Sequence, residues 1–288
     1  SGLPGIDGRI AVPNLLIEGL AFGEGPRWRD GALWLSDMHA QKVLKVIPGG
    51  QAQTIVELED DQPSGLGWLP NGDLLIVSMT KRSLLKYDGS ILTTHADLSD
   101  LASWYCNDMV VDKIGRAYVG NFGFDLHNRA TAAPAELICV ETDGTARVVA
   151  NDIMFPNGTV ITADGSTLIV AESFGGRLTA FDIDAQGDLS NARIWAELPD
   201  KAVPDGICLD AGDGIWSASP STNECIRQVE GGDITHRIDL DRGAFACMIG
   251  EDKLYILTAS SSVPEQCKAN LDARVEVYDA PYPSAGWP

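Results

Sequence analysis

The chain of 288 residues lacks long apolar runs, and it carries few cations. No stretch reaches the roughly 18 apolar residues that a membrane-spanning helix needs. Lys and Arg number 21 against 41 Asp and Glu, which gives a formal net charge of −20. Such a field repels phosphate backbones and anionic lipid surfaces, so nucleic acids and membranes are excluded as partners. The opening Ser1-Gly2 has neither a basic nor an apolar targeting segment. We therefore expect a soluble, cytoplasmic protein.

Several sequence motifs of known chemistry are also missing. The six cysteines are scattered and form neither a CxxC pair nor a dense framework, so we expect buried free thiols. No G-x-S-x-G elbow, H-E-x-x-H motif or glycine-rich phosphate loop occurs. These absences argue against a serine hydrolase and a nucleotide-binding enzyme.

What the sequence does contain is a repeat of short apolar runs. Runs rich in Val, Ile, Leu, Tyr and Trp alternate with Gly, Asp, Asn and Pro clusters, and no long stretch keeps a helical period. The units begin at Glu24, Ser64, Asn107, Asn157, Asp205 and Ala246, which are 40, 43, 50, 48 and 41 residues apart. A four-stranded propeller blade occupies about 40 to 50 residues. The chain is therefore predicted to be all-β, a six-bladed β-propeller.

The two ends of the chain predict how the ring closes. A strand within 10–17 precedes the first unit and has no blade of its own, while 273–279 is a plausible third strand of the last blade. Closure by the N-terminal strand would remove an exposed edge. We expect one propeller domain over 1–288, although a β-sandwich is the alternative all-β fold.

The repeat also predicts a functional site. First strands of propeller blades line the central channel, so the six residues that begin the units should face one another. Four of them, Glu24, Asn107, Asn157 and Asp205, carry carboxylate or amide oxygens. Two carboxylates would repel each other there without a cation, so we expect one divalent metal ion. The alternative is that Asn and Asp before Gly are ordinary turn residues.

The ligand types favour a hard cation. No histidine or cysteine begins a repeat, which places Ca²⁺ first, followed by Mg²⁺ or Mn²⁺, and leaves Zn²⁺ possible.

Four segments carry a resemblance to a known family. They are GEGPRW (23–28), CNDMVVD (106–112), FPNGTVITADGSTLIVAES (155–173) and VPDGICLDAGDGIWSA (203–218). Together they resemble the senescence-marker-protein/gluconolactonase/luciferin-regenerating family over nearly the whole chain. The resemblance implies a metal-dependent hydrolase, usually a lactonase, acting on a small-molecule lactone or ester.

The family pattern also implies roles for individual residues. Glu24, Asn157 and Asp205 would be metal ligands, with Asp205 also the general base or a direct nucleophile. Asn107 would be a further ligand or a substrate contact with a catalytic role. The related diisopropylfluorophosphatase has a similar four-residue site, which keeps phosphotriester hydrolysis open as an alternative.

The sequence departs from the sugar-lactone members at one position. They commonly have an arginine two residues before the asparagine of this segment, where this chain has Tyr105. Residues two apart on a strand share a face, so the residues two before each repeat start should form the next layer of the pocket. That layer comprises Phe22, Gln62, Tyr105, Phe155, Val203 and Ala244. An apolar or aromatic lactone is therefore the expected substrate, with Tyr105, Phe22 and Phe155 as contacts.

The insertion after Gly120 supplies further candidates. Asn121 and His127 are predicted substrate contacts, with His127 in a lid, and Asp125 could also enter the cavity. The other three histidines are expected in loops or on the surface. Non-enzymatic alternatives are a protein-binding propeller with a structural calcium and, by fold analogy alone, a strictosidine-synthase-like propeller.

Overall fold

The computed structural model of the protein describes residues 14–288, and these residues form six four-stranded antiparallel sheets. Five sheets are built from consecutive strands. Blade 1 contains β2 (Gly23–Arg29), β3 (Ala32–Asp37), β4 (Lys42–Val46) and β5 (Ala52–Glu57). Blade 2 contains β6 (Pro63–Trp68), β7 (Leu74–Ser78), β8 (Ser83–Tyr87) and β9 (Leu92–Asp97). Blade 3 contains β10 (Cys106–Val111), β11 (Ala117–Asn121), β12 (Ala135–Val140) and β13 (Ala146–Ile153).

The second half of the ring repeats this order. Blade 4 contains β14 (Pro156–Ile161), β15 (Thr167–Glu172), β16 (Arg177–Ile183) and β17 (Leu189–Glu197). Blade 5 contains β18 (Ile207–Leu209), β19 (Gly214–Ser219), β20 (Glu224–Val229) and β21 (Ile234–Asp239). Blade 6 contains β22 (Gly243–Gly250), β23 (Lys253–Ala259), β24 (Ala273–Asp279) and β1 (Asn14–Leu20). The predicted six-bladed propeller is confirmed.

The N-terminal strand closes the ring as predicted. β1 pairs antiparallel with β24, with Asn14 opposite Val277, and becomes the outer strand of blade 6. Residues 10–13 of the predicted strand lie outside the described residues. The sequence did not predict the 3₁₀-helix Met38–Ala40 or the helix α1 (Pro264–Asn270), which lie against each other. Among residues 14–288, no helix is long and apolar enough to cross a membrane.

The turns within blades follow local chemistry. In blade 2 the Asn71 Oδ1 accepts a hydrogen bond from the Asp73 amide at 2.9 Å, and Gly72 has φ 94°. A positive φ of this kind favours glycine, so Asn-Gly joins β6 to β7 as an ordinary turn. All six cysteines are free and buried, as predicted.

Glycines that follow axial residues let the inner strands approach closely. A Cβ on Gly158 would lie 2.4 Å from the Ile207 amide nitrogen, and one on Gly206 would lie 2.6 Å from the Ala246 Cα. The Gly158 amide donates to the Asp205 carbonyl at 3.0 Å, and the Gly206 amide donates to the Phe245 carbonyl at 2.9 Å. Blades 4, 5 and 6 are thus joined at the axis by backbone hydrogen bonds, which fix the relative positions of their axial side chains.

Candidate active site at the propeller axis

The four oxygen-bearing residues that begin repeats line one cavity. Glu24 lies on β2, Asn107 on β10 and Asn157 on β14, while Asp205 lies two residues before β18. The cavity has a volume of about 710 Å³. Glu24, Asn107 and Asn157 are each 5 or 6% exposed. The structure therefore places all four in the lining of a single pocket.

Irregular strand pairing aims these side chains at the axis. The first two strands of blades 1, 3 and 4 shift register between Glu24 and Arg27, between Cys106 and Met109, and between Pro156 and Thr159. A β-bulge re-aims side chains and ends regular pairing. Blade 5 reaches a similar result differently, because β18 begins only at Ile207 and leaves Asp205 in the preceding segment.

A serine orients the Asn157 amide. The Asn157 Nδ2 donates to the Ser173 Oγ at 3.3 Å, and the Ser173 hydroxyl donates to the Pro204 carbonyl at 2.7 Å. The Asn157 Oδ1 is buried and has no hydrogen-bond partner in the described part of the chain. Because buried oxygens are rarely left unpartnered, this atom is a candidate ligand for a cation.

Asp205 has a second oxygen of the same kind. Its Oδ1 is also buried, and none of the residues that the structure describes forms a hydrogen bond with it. On Asn107, the Oδ1 accepts a hydrogen bond from the Ser64 Oγ at 3.3 Å, which uses one of its two lone pairs. Ser64 is the residue at which the second repeat begins. It therefore lies at the axis as well, where its hydroxyl orients the Asn107 side chain of the next blade.

The two carboxylates lie close enough to disturb each other. Burial raises the pKa of Glu24 well above its ordinary value, and the charges of Asp205 and Asp108 raise it further. Burial also raises the pKa of Asp205, with a further contribution from Asp108. A cation would reverse this effect by stabilising both charged forms.

The axial donor set is mixed in type. In the described part of the chain, no group of three or more His, Cys, Asp and Glu side chains is arranged to hold a metal ion. The axial set has only two carboxylates, Glu24 and Asp205, and its other two donors are amides. Such oxygen donors suit Ca²⁺, Mg²⁺ or Mn²⁺ better than a thiolate or imidazole site would.

Aromatic rings form the upper wall of the cavity. Tyr105 lines the cavity together with five of the seven phenylalanines. These are Phe22, Phe122, Phe155, Phe174 and Phe245. Tyr105 stacks on Trp104 with ring centroids 4.9 Å apart. Among residues 14–288, no lysine or arginine lines the cavity. The wall therefore offers large apolar surface and no positive charge to a ligand.

Acidic side chains fix the backbone at or next to two of these phenylalanines. The Asp37 carboxylate accepts hydrogen bonds from the amides of Ala21 and Phe22 at 3.2 and 2.9 Å. In blade 4 the Glu172 Oε1 accepts from the Met154 amide at 2.8 Å, directly before Phe155. Phe155 itself has φ 61°, an uncommon value for an aromatic residue.

The predicted second layer is found in five blades and is wrong in blade 6. Phe22, Gln62, Tyr105, Phe155 and Val203 all line the cavity. In blade 6, Ala244 does not line it and Phe245 does. The physical reason is a register shift between Ala244 and Ala246, which interrupts the alternation of side chains along β22.

The insertion residues divide into two groups. His127, a predicted substrate contact, lines the cavity, and its ring centroid lies 6.1 Å from that of Phe122. Asn121 is fully buried outside the cavity lining, where its Oδ1 accepts from the Gly123 amide at 2.9 Å and its Nδ2 donates to Glu136. Asp125 is also absent from the lining and bonds Asn128 within the same loop.

His39 was expected in a loop or on the surface, but it is buried and lines the cavity beside Phe22. It is 9% exposed, and its Nδ1 has no hydrogen-bond partner. Burial, Lys268 and His127 lower the pKa of His39 to about 4. No periodic signal marks this residue, because it lies in the 3₁₀-helix after β3. Phe122 and Phe174, by contrast, follow second strands closely, and that recurring position could have identified them.

A family model matches most of the chain. Residues 22–260 match the model described as SMP-30/Gluconolactonase/LRE-like region. That range begins just before the first axial residue and ends after β23.

Individual relatives are distant but cover much of the chain. Regucalcin of Gallus gallus is 26% identical over 265 residues, which covers 85% of each chain. Pentonolactonase XacC of Haloferax volcanii is 26% identical over 213 residues, covering 73% of this chain and 70% of the relative. Among solved structures, a calcium-binding protein, regucalcin, from Agrobacterium tumefaciens superimposes with a TM-score of 0.76 at 20% identity, covering 95% of this chain and 97% of that one.

Proposed function

The chain belongs to the SMP-30/gluconolactonase/LRE-like family, and from that premise we propose that it is a metal-dependent lactonase. One relative of similar length is named a pentonolactonase, which supports lactone hydrolysis as the reaction class. The observation that carries the proposal lies at the axis. Two buried oxygens there, on Asn157 and Asp205, have no hydrogen-bond partner among residues 14–288, and both residues line the same pocket as Glu24 and Asn107.

The residues present fit a hard divalent cation. Glu24, Asn107, Asn157 and Asp205 would hold it, and we propose Ca²⁺ first, with Mg²⁺, Mn²⁺ and Zn²⁺ as alternatives. When bound, the cation would polarise a carbonyl oxygen and offset the negative charge that develops when the ring opens. The unpartnered oxygens are what such an ion would satisfy.

Asp205 is the candidate general base. A carboxylate has two oxygens, so one could hold the cation while the other orients a water molecule or takes its proton. The backbone of Asp205 is held by two hydrogen bonds, from its own amide to the Ala218 carbonyl at 2.9 Å and from the Gly158 amide to its carbonyl at 3.0 Å. This support keeps the carboxylate in position through the reaction.

Asn107 and Tyr105 act on the substrate from blade 3. The Ser64 hydroxyl fixes the Asn107 amide, which leaves its Nδ2 available to donate to a substrate oxygen. Tyr105 lines the cavity two residues earlier and stacks on Trp104. A tyrosine there offers a flat apolar face and one hydroxyl, in contrast to a charged group with several donors.

The cavity wall favours an apolar or aromatic lactone. A polyhydroxylated sugar lactone would need several donors and acceptors to replace its lost hydration. Phe22, Phe122, Phe155, Phe174 and Phe245 supply large apolar surface, beside the smaller hydroxyl and amide groups of residues such as Thr80, Ser221, Asn223 and Ser260. The absence of lining lysine or arginine also disfavours phosphorylated or carboxylated substrates.

We propose a cytoplasmic location. Its support is that all six cysteines are free, which fits a reducing environment.

The test joins metal analysis to a hydrolysis panel. Purified protein is stripped with a chelator, reloaded with one cation at a time, and assayed on dihydrocoumarin, gluconolactone, an aryl ester and a phosphotriester. We expect lactone hydrolysis that is lost on stripping and restored by one cation, with the highest kcat/KM on dihydrocoumarin. Turnover of the phosphotriester alone would identify a phosphotriesterase. Cation binding without turnover would identify a scaffold with a structural ion.

A further inference from the structure

A buried ion pair lies directly beside the axial residues. The Arg27 Nη2 is 2.7 Å from the Asp108 Oδ1, and the two side chains are only 5 and 6% exposed. Arg27 follows Glu24 by three positions on β2, and Asp108 follows Asn107 on β10. Each partner of the pair is thus attached to a strand that also carries a proposed cation ligand.

Hydrogen bonds fix both partners. The Arg27 Nε donates to the Leu66 carbonyl at 2.8 Å, and its Nη2 donates to the Met109 carbonyl at 2.8 Å. The Asp108 Oδ1 also accepts from the Met109 amide at 2.8 Å. Arg27 therefore joins the inner strands of blades 1, 2 and 3, and its charge cannot move away from the axis.

The neighbouring backbone leaves little room at Asp108. A Cβ on Gly65 would lie 2.9 Å from the Asp108 Oδ1 and 2.5 Å from the Met109 amide nitrogen. Glycine at this position of blade 2 is what permits the carboxylate to sit between the blades. The position of the Asp108 carboxylate is therefore fixed by residues of β2, β6 and β10.

The Asp108 carboxylate lies close to the axial site. Asp108 directly follows Asn107 on β10, with about 3.8 Å between consecutive Cα atoms, and its partner Arg27 lies three residues after Glu24 on β2. With all three carboxylates ionised, Glu24, Asp205 and Asp108 would carry three negative charges and Arg27 one positive charge. The fully ionised cluster has a net charge of −2, which one divalent cation would neutralise.

We propose that Asp108 and Arg27 set the charge of the axial cation site without coordinating the ion: Asp108 strengthens the attraction and Arg27 limits it. The inference rests on the proposed divalent-cation site. It assigns both residues a positioning and electrostatic role, in addition to the joining of blades 1 to 3.

A second buried pair provides the matched control. The Arg227 Nε is 2.6 Å from the Asp210 Oδ2, with side chains 3 and 0% exposed. Asp210 follows Asp205 by five residues, roughly 16 Å along an extended strand, and bridges to Ser284 away from the cavity. This pair has the chemistry and burial of Arg27 and Asp108 without their place at the axis.

The experiment measures Ca²⁺ affinity by calorimetry in chelator-stripped protein. We expect Asp108→Asn to weaken binding by about tenfold and Arg27→Met to strengthen it by about tenfold, because they change the local charge in opposite directions. The double variant restores the net charge of −2 and should bind within about threefold of wild type. Arg27→Lys keeps the charge and should also bind like wild type.

The opposite effects of the two single variants on cation affinity distinguish an electrostatic role from a purely structural one. If the pair only joined the blades, both single variants would have a lower melting temperature and neither would bind the cation more tightly. Asp210→Asn should lower the melting temperature and leave the Kd unchanged. If Asp108→Asn does not fold, Arg27→Met and the double variant are compared instead, since they differ only at Asp108.

Two failures are distinguishable. Wild-type protein that binds none of the four divalent cations would remove the proposed metal site itself. Wild-type binding with the same Kd in Asp108→Asn, or in the double variant and Arg27→Met, would overturn the present inference and leave the metal site intact.

Discussion

The ring of Phe155 lies 4.8 Å from the ring of Phe122, with their planes inclined by only 22°. Phe155 is also 4.7 Å from Phe174, so three rings from blades 3 and 4 form one continuous surface. The backbone of Phe155 is held at φ 61°, and its carbonyl accepts from the Ser173 amide at 3.0 Å. A non-glycine residue in this region costs about 1 kcal/mol or more. The fold therefore maintains a strained residue at the centre of the cavity wall.

Phe155→Ala should selectively impair turnover of aromatic lactones. Removal of the ring takes away buried apolar contact of about 1.5 to 3 kcal/mol, or roughly ten- to hundredfold in kcat/KM for dihydrocoumarin. A small aliphatic lactone that does not reach the ring should lose much less, and Phe155→Leu should fall between. Equal losses on both substrates would show that Phe155 supports the fold of the site and does not contact the substrate.

Tyr105→Arg should shift specificity toward sugar lactones. Tyr105 lines the cavity two residues before Asn107, and arginine there would add several donors for hydroxyl groups. The measured quantity is the ratio of kcat/KM for gluconolactone to that for dihydrocoumarin, and we expect it to rise by about tenfold. Tyr105→Phe removes the hydroxyl without adding charge and should leave the ratio low. An unchanged ratio in Tyr105→Arg means that Tyr105 does not set specificity.

The repeat in the sequence was sufficient to predict the architecture of the fold. Period and strand patterning predicted six blades and the closing strand, because each blade is a local unit with its own turns. Residues at equivalent positions of the repeat, such as Glu24 and Asn157, line the same cavity because the blades are arranged in a ring. Residues more than a hundred positions apart along the chain are therefore brought together without any further signal in the sequence.

The details of the cavity depended on features that periodicity does not encode. A register shift in β22 replaces Ala244 by Phe245 at the wall. Asp108 is adjacent to a predicted ligand, but its pairing with Arg27 requires the three-dimensional approach of β2 and β10. His39 enters the cavity from an irregular segment packed on α1, a helix that the strand pattern did not predict.

Asp205→Asn should nearly abolish turnover and leave the fold intact. The substitution keeps the shape and removes both a charge and the candidate base, so we expect kcat to fall by about a hundredfold or more. In stripped protein the melting temperature should equal or exceed that of wild type at neutral pH, because burial and Asp108 raise the pKa of Asp205 and disfavour its charged form. Wild-type kcat in this variant would show that Asp205 is not the base.

His39 should make stability depend on pH. Its pKa in the folded protein is lowered to about 4 from an ordinary 6.5, first by burial and then by Lys268 and His127. Glu265 and the Ser262 backbone act in the opposite direction. Between these two pKa values the unfolded chain binds a proton that the folded protein does not, so the free energy of unfolding falls as the pH is lowered through this window.

The expected loss from this residue is about 2 kcal/mol between about pH 7 and about pH 5. The contribution of His39 is isolated by measuring the free energy of unfolding with denaturant for stripped wild type and His39→Gln at both pH values. The titrations of Glu24 and Asp205 are common to the two proteins and cancel in the difference. His236→Gln, on the exposed strand β21, controls for the loss of an imidazole. The pH dependence of His39→Gln should be shallower than that of wild type by about 2 kcal/mol over this range. Parallel curves for wild type and His39→Gln would mean that His39 takes up its proton in the folded protein as readily as in the unfolded chain, and that its burial beside Phe22 does not suppress its charge.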